Sequence, residues 1–219
     1  MRLVILPGVF RPCSDSWMLA DIVEREPLAP GARVLDLGCG SGVLAVAAAR
    51  KTAEVTAVDV SRRAVTITRL NAMLNGVSVR AARGDLFGPV RGERFGLIVS
   101  NPPYLPSANG DRPSRGAARA WEAGRSGRAV LDRICAEAHD HLRPGGVVLL
   151  VHSSVCGEEA TVTALGERGL RTRVVARHRG PLGPRLARLR ERGLLPGDLA
   201  EEEMLVIRAE RPGSAAVSA

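Results

Sequence analysis

The chain has 219 residues, a formal charge of +8, 45% hydrophobic and 25% charged residues. That length suits one domain with at most a small appendage, and the apolar content is enough for a real core. No apolar run reaches the roughly 18 residues of a membrane span, and Cys13, Cys39, Cys135 and Cys156 lie far apart with no CxxC, which argues against a zinc site or disulfide framework and fits a reduced cytoplasm.

The positive charge is almost all arginine, Lys51 being the only lysine, as in proteins from GC-rich genomes. It spreads along the chain with modest concentrations at 112–133 and 168–192, the pattern of solvated surface arginines rather than of a nucleic-acid stripe. The apolar start MRLVILPGVF is short, is closed by Pro12 and lacks a clear cleavage site, so it reads as a strand or arm and not a signal peptide.

Next, SDSWMLADIVERE predicts a helix capped by Ser14 or Asp15, with Trp17, Leu19, Ile22 and Val23 as its apolar face. An alternation follows. RVLDL (33–37) is a buried strand and Val43 to Arg50 a small-residue helix; EVTAVDV (54–60) is a strand, and Ser61 to Leu74 a helix capped by Ser61 and stopped at Asn75-Gly76. VSVRAAR (77–83) and FGLIVSN (95–101) are strands, 126–142 is a helix ending at the Pro144-Gly145-Gly146 turn, and GVVLLVH (146–152) is the most apolar strand. A helix near 157–168 and strands at 170–177 and 203–209 complete the series, and the tail 212–219 is expected to be loose. Strands separated by crossover helices imply a parallel sheet covered on both faces. The segment 177–203, with two Gly-Pro pairs around Leu186, Leu189 and Leu194, interrupts this order as a lid, a substrate-contact hairpin or a surface insertion.

LDLGCGSG (35–42) places Gly38, Gly40 and Gly42 at a strand exit, where glycine allows a tight turn and close approach to a ligand. The spacing is GxGxG rather than GxGxxG, and Asp36 precedes it; a carboxylate there repels a pyrophosphate and attracts an ammonium group. Asp59, beside Val60 at the end of the second strand, can accept both ribose hydroxyls, and Asp85, beside Leu86 after the third, can accept an adenine amine. Adenine, ribose and an α-amino acid together describe S-adenosylmethionine. Each acid alone also reads as a helix-end charge or a turn former.

Asn101-Pro102-Pro103-Tyr104 ends the fourth strand, because prolines remove ladder donors. A planar nitrogen is a poor nucleophile. Acceptors for both of its N–H groups, here the Asn101 side-chain oxygen and the Pro102 carbonyl, would pyramidalise it, with the prolines fixing the carbonyl beforehand and Tyr104 stacking on the flat group.

With these motifs the chain resembles the class I S-adenosylmethionine-dependent methyltransferases. The resemblance implies an α/β, Rossmann-like sheet of seven strands, mostly parallel, with an antiparallel last strand inserted beside the sixth and helices on both faces. PCSDSWML (12–19) and AWEAGRSGRAVLDRI (120–134) narrow it to the release-factor glutamine methyltransferase (HemK-type) family, compact single-domain branch. That implies residues 1–30 as an arm and helix on the cofactor site, 31–211 as the catalytic domain, Asp15, Ser16 and Asn101 among the cofactor contacts, and Pro103, Tyr104 and Trp121 toward substrate. No metal is expected. The implied acceptor is a protein glutamine amide, with a release factor as protein partner and a small zinc-binding subunit as a second one. Three departures bear on the acceptor and leave the methyl chemistry intact: there is no room for the N-terminal helical domain of longer members, Ser14 stands where a carboxylate is usual, and 177–203 is long for the family. An adenine-N6 nucleic-acid methyltransferase, a small-molecule methyltransferase and a cofactor-binding subunit that needs a partner remain open alternatives.

Overall fold

A computed structural model describes residues 1–51, 54–107, 110, 113 and 117–213, so the expected tail lies outside the described residues from 214 on. Strands run at Arg33–Leu37 (β1), Glu54–Asp59 (β2), Arg80–Arg83 (β3), Phe95–Ser100 (β4), Leu142–Ser153 (β5), Arg171–Pro181 (β6) and Glu201–Glu210 (β7). They form one sheet in the order β3-β2-β1-β4-β5-β7-β6. β1 to β5 pair in parallel, and β7 lies between β5 and β6, antiparallel to both, as the resemblance implied. The α-helices are Ser14–Arg25 (α1), Val43–Ala49 (α2), Arg62–Leu74 (α3), Leu131–Ala138 (α4), Glu158–Glu167 (α5) and Pro184–Glu191 (α6).

Strand alternation divides the core between the two faces of the sheet. Val34, Leu97, Val99, Leu149 and Val206 face α1 and α2, while Leu35, Leu37, Ile98, Leu150 and Ile207 face α4 and α5. The small side chains of α2 bring its backbone close to the sheet, with Val43 to Ala48 all buried. The only lysine has a structural post: Lys51 Nζ donates to the carbonyls of Val23, Glu24 and Glu26, the C-terminal carbonyls that α1 leaves unpaired. Arg208 of β7 holds the buried Glu26 carboxylate at 3.0 Å, so the end of α1 is tied to the sheet.

The N-terminal arm has no regular secondary structure, turns at residues 7–9, and pairs with no strand among the described residues. Two asparagines of the α3 region strap it down. Asn71 accepts Val4 N–H (2.8 Å) and donates to Val4 O and Ser41 O, while Asn75 accepts Arg2 N–H (2.9 Å).

Several expected boundaries shift. Cys13, not Ser14 or Asp15, caps α1, whose buried side is Asp15, Ser16, Leu19, Ala20 and Val23; Trp17 lies off that stripe and is exposed. β3 is shorter than 77–83. α4 begins at Leu131 because Gly127 has φ +73, and it ends in a 3-10 turn over His139–His141. The Pro144-Gly145-Gly146 turn is a bulge inside β5, spanning the register shift opposite Phe95/Leu97. The ends of the 177–203 segment continue β6 and begin β7, leaving 182–200 as the connection that carries α6.

Gly42 shows how tightly the first crossover is built. It sits at φ +81, and a Cβ there would lie 2.8 Å from Thr68 Cγ2 of α3. Gly42→Ala should cost about 2–4 kcal/mol, from the left-handed backbone plus overpacking. Thermal unfolding of G42A and of the G42A/T68A double variant tests this: the second change should restore part of the loss. An unchanged melting temperature in G42A would refute the packing role.

Candidate active site

The glycine turn after β1 is joined to the end of β2. Gly38 N–H and Cys39 N–H both donate to Val58 O (2.8 and 3.1 Å). The Asp59 carboxylate accepts Gly40 N–H at Oδ2 (3.0 Å) and Ser61 N–H at Oδ1 (2.8 Å). Burial raises the Asp59 pKa, against these N–H bonds and the nearby Arg119 cation. Gly38 and Gly40 take φ of +70 and +52, conformations that keep the backbone bare toward the crevice.

A cavity of about 400 Å³ opens above this turn. Of the residues expected at a cofactor, Ser16, Gly38, Gly40, Asp59, Val60, Asp85, Leu86 and Asn101 lie on its wall, with Pro102 and Pro103 beside them. Asp36 and Gly42 do not. Gly42 serves the helix packing described above. Asp36 is fully buried behind the turn, where Oδ2 accepts Ala45 N–H (3.0 Å) and Oδ1 has no hydrogen-bond partner among the described residues. Burial, opposed by that N–H and reinforced by the Asp59 charge, pushes its pKa up to about 7. Asp85 pairs through Oδ2 with Arg133 of α4 at 2.8 Å. Beside it Leu86 has φ +45, uncommon for a residue with a Cβ.

The NPPY segment leaves β4 with Ser100 Oγ–H donating to Leu37 O at 2.7 Å, which locks the two central strand ends together. Asn101 Nδ2 donates to Ser16 Oγ (3.0 Å), the Ser16 hydroxyl donates to Asp15 Oδ1 (3.1 Å), and the Tyr104 hydroxyl donates to Asp15 Oδ2 (2.8 Å). With its amino end engaged, Asn101 keeps Oδ1 as an acceptor. Burial, then the Asp15 carboxylate, holds the Tyr104 hydroxyl well above its ordinary pKa, so it stays protonated. From behind, Cys156 Sγ–H donates to Tyr104 O (2.8 Å). A Cβ on Gly127 would lie 2.2 Å from that oxygen, so the second glycine of the 120–134 motif makes room for the loop.

A second cavity of about 330 Å³ lies on the other side of this loop and contains the expected Asp15, Asn101, Pro102, Pro103, Tyr104 and Trp121. Phe10, Asn101, Pro102, Pro103 and Ala120 line both cavities, so the two meet at the NPPY segment. Asp15, expected at the cofactor, faces the second cavity. The Phe10 and Trp121 rings lie 4.7 Å apart at 57°, and Arg185 of α6 stands 3.6 Å above Trp121. Sequence reading did not assign Phe10, Arg119, Arg185, Glu202 or Met204 to the site. Phe10 and Arg119 flank quoted motifs, and Arg185 and Glu202 lie in the 177–203 segment, one reading of which is a substrate-contact hairpin; Met204, just beyond it, offered no clue.

A glycine turn and ribose-type carboxylate beside a second cavity, at the strand ends of a seven-stranded sheet with an antiparallel β7, define a class I methyltransferase. The methyltransferase small domain family matches residues 2–112, half of the chain, and the chain belongs to this family. A Methanocaldococcus jannaschii protein provisionally named a protein N5-glutamine methyltransferase is 33% identical over 83% of this chain and 90% of its own length. The release factor glutamine methyltransferase of Gloeobacter violaceus is 36% identical over 78% of this chain, which spans 63% of that enzyme. Among solved structures, a chain of the E. cuniculi Mtq2–Trm112 complex, responsible for methylating the termination factor eRF1, aligns with TM-score 0.67 and 25% identity over 93% of this chain and 99% of that one. The T. thermophilus 16S rRNA N2 G1207 methyltransferase RsmC, solved with AdoMet and guanosine, aligns at TM-score 0.62 and 25% identity over 94% of this chain and 46% of its own. The protein is thus an S-adenosylmethionine-dependent methyltransferase. Among the described residues no helix is long and apolar enough to cross a membrane.

Asp59 gives the cofactor-side prediction. Asp59→Ala should weaken S-adenosylmethionine binding at least about tenfold, the worth of a charge-assisted hydrogen bond, read by calorimetry. Protonation removes the acceptor, and the Asp59 pKa is raised, so wild-type affinity should fall on acidification at a pH above the ordinary 3.8. Unchanged affinity in D59A would remove Asp59 from the cofactor site.

Proposed function

We propose that this enzyme methylates a planar nitrogen, the side-chain amide of a glutamine in a protein acceptor of release-factor type. The observation that carries the reading is the shared wall: both cavities meet at Asn101-Pro102-Pro103, where Asn101 is held by Ser16 with Oδ1 left to accept.

The first cavity fits S-adenosylmethionine in volume, in its bare glycine turn and in its half-buried Asp59. In this reading Gly38 and Gly40 carry the amino-acid end, Asp59 and Val60 the ribose, and Asp85 and Leu86 the adenine, with Ser16 and Asn101 toward the reacting centre. Asp36 does not reach the wall; it ties the start of α2 to β1 through Ala45 N–H, and burial favours its neutral form. When bound, the cofactor supplies an electrophilic sulfonium methyl. The protein supplies geometry: Asn101 Oδ1 and the Pro102 carbonyl accept the two amide N–H groups, and Tyr104, anchored by Asp15, flanks the flat amide. Asp15 is then a positioning residue. Residues 1–30 close the cofactor side of a catalytic unit spanning 31–211. By likeness to the Mtq2–Trm112 complex, a small partner subunit belongs to the same proposal.

A second reading is a guanine N2 methyltransferase acting on RNA, favoured by the RsmC neighbour and by an Alcanivorax borkumensis small-subunit rRNA methyltransferase C that is 37% identical over 68% of this chain and 41% of its own length.

One experiment separates the two. The purified protein, alone and with the host's small partner subunit, is incubated with methyl-labelled S-adenosylmethionine and host lysate. Label on a protein of release-factor size, destroyed by glutamine replacement in that protein, supports the main reading; label in RNA supports the second. Asn101→Ala should lower turnover by about a hundredfold or more, as removal of a preorganised transition-state hydrogen bond does, while cofactor affinity measured by calorimetry stays within about twofold. Wild-type turnover in N101A would refute its role.

A further inference from the structure

The acceptor-side cavity carries two charged side chains that methyl transfer does not use. Arg185 lies in the first turn of α6, its guanidinium 3.6 Å above the Trp121 ring. Glu202 is on β7, where alternation turns its neighbours the other way: Glu201 pairs with Arg179 and Glu203 with Arg177. Glu202 Oε1 accepts Gly183 N–H at 3.0 Å, and neither Arg185 nor Glu202 forms an ion pair among the described residues. Both line the cavity that holds Asp15, Tyr104 and Trp121.

We propose that Arg185 and Glu202 form a main-chain clamp for an extended peptide segment of the acceptor protein, next to the residue that enters the Asn101 site. This rests on the glutamine reading above. A peptide strand offers carbonyl oxygens and N–H groups in alternation. Stacking on Trp121 uses the flat face of Arg185 and leaves the N–H groups at its edge to donate to a carbonyl. Glu202, with one oxygen on Gly183, has the other to accept an N–H. A nucleic-acid strand offers phosphates instead, and Glu202 and Asp15 on the same wall oppose them. The opposite charges of the pair match the two poles of a peptide unit and do not match a uniform polyanion.

Steady-state kinetics with the host release factor tests the clamp. Arg185→Ala and the isosteric Glu202→Gln should each raise KM for that protein roughly tenfold, the weight of one charge-assisted hydrogen bond, with kcat within about twofold and cofactor affinity by calorimetry unchanged. Arg185→Lys, which keeps the charge and loses the flat fork, should recover less than half of the loss. If wild type labels the release factor and KM is unchanged in both R185A and E202Q, the clamp is wrong and the glutamine reading stands. If wild type labels RNA, or leaves the release factor unlabelled, both fall.

Discussion

Asp15 is the constraint on which the site depends. Its carboxylate is 4% exposed and, among the described residues, has no cation bonded to it; three donors offset the cost of burial: Ser16 N–H, Ser16 Oγ–H and the Tyr104 hydroxyl. The buried face of α1 therefore begins with two polar residues, which a purely structural helix would not spend there. Through Ser16 the network fixes which end of the Asn101 amide faces α1, and through Tyr104 it fixes the far end of the same loop. One buried charge thus sets both ends of NPPY. α1 can serve as the fixed point because Lys51 caps its last carbonyls and Arg208 grips Glu26.

The strand ends are built to a similar standard. Ser100 binds Leu37 O, the glycine turn binds Val58 O, and Asp59 binds back to the turn at Gly40, so the exits of β1, β2 and β4 form one hydrogen-bonded rim. A rim fixed before ligand arrives leaves little to order at binding. The strained Leu86 sits on this rim, where the surrounding core overdetermines its conformation.

The sheet was legible because its signals are local: buried runs at 33–37 and 95–100, a Ser61 cap whose hydroxyl accepts Ala64 N–H, and glycines at strand exits. The boundaries that moved were decided from a distance. The Pro144-Gly145-Gly146 sequence spells a turn, yet pairing with β4 draws it into β5 as a bulge. Trp17 fits a helical apolar stripe in sequence, yet the core lies where Leu19 and Val23 point. Asp36 reads as a ligand contact from its place before the glycines, and only the packing of α2 against β1 puts it behind them. Most of the cofactor contacts expected from the sequence lie on the wall of the first cavity because they follow strand ends, whereas Phe10, Arg119 and Ala120 reach it from the arm and the 117–120 turn. The second takes Asp15 and the NPPY segment, which the sequence located, together with residues of the arm, the 120–134 segment and the β6–β7 hairpin, and no spacing rule joins Phe10, Trp121, Arg185 and Glu202.

That asymmetry follows from what each cavity does. A common cofactor demands the same local backbone solution wherever it is bound, and a backbone solution leaves a motif. In the proposed reading the acceptor meets NPPY, which is a motif, and side chains brought from distant elements, which leave none. The overall charge of +8 is no guide to the acceptor either, because so many arginines are engaged within the protein. Arg33 and Arg80 hold Glu93, Arg177 holds Glu158 and Glu203, and Arg128 holds Asp132 and the carbonyls of Cys156 and Gly157. Exposed pairs of this kind add little stability, and a net charge summed over the whole chain does not say at which site it acts. In the proposed clamp, selectivity falls to two side chains without an ion pair among the described residues, Arg185 on the Trp121 face and Glu202 on β7.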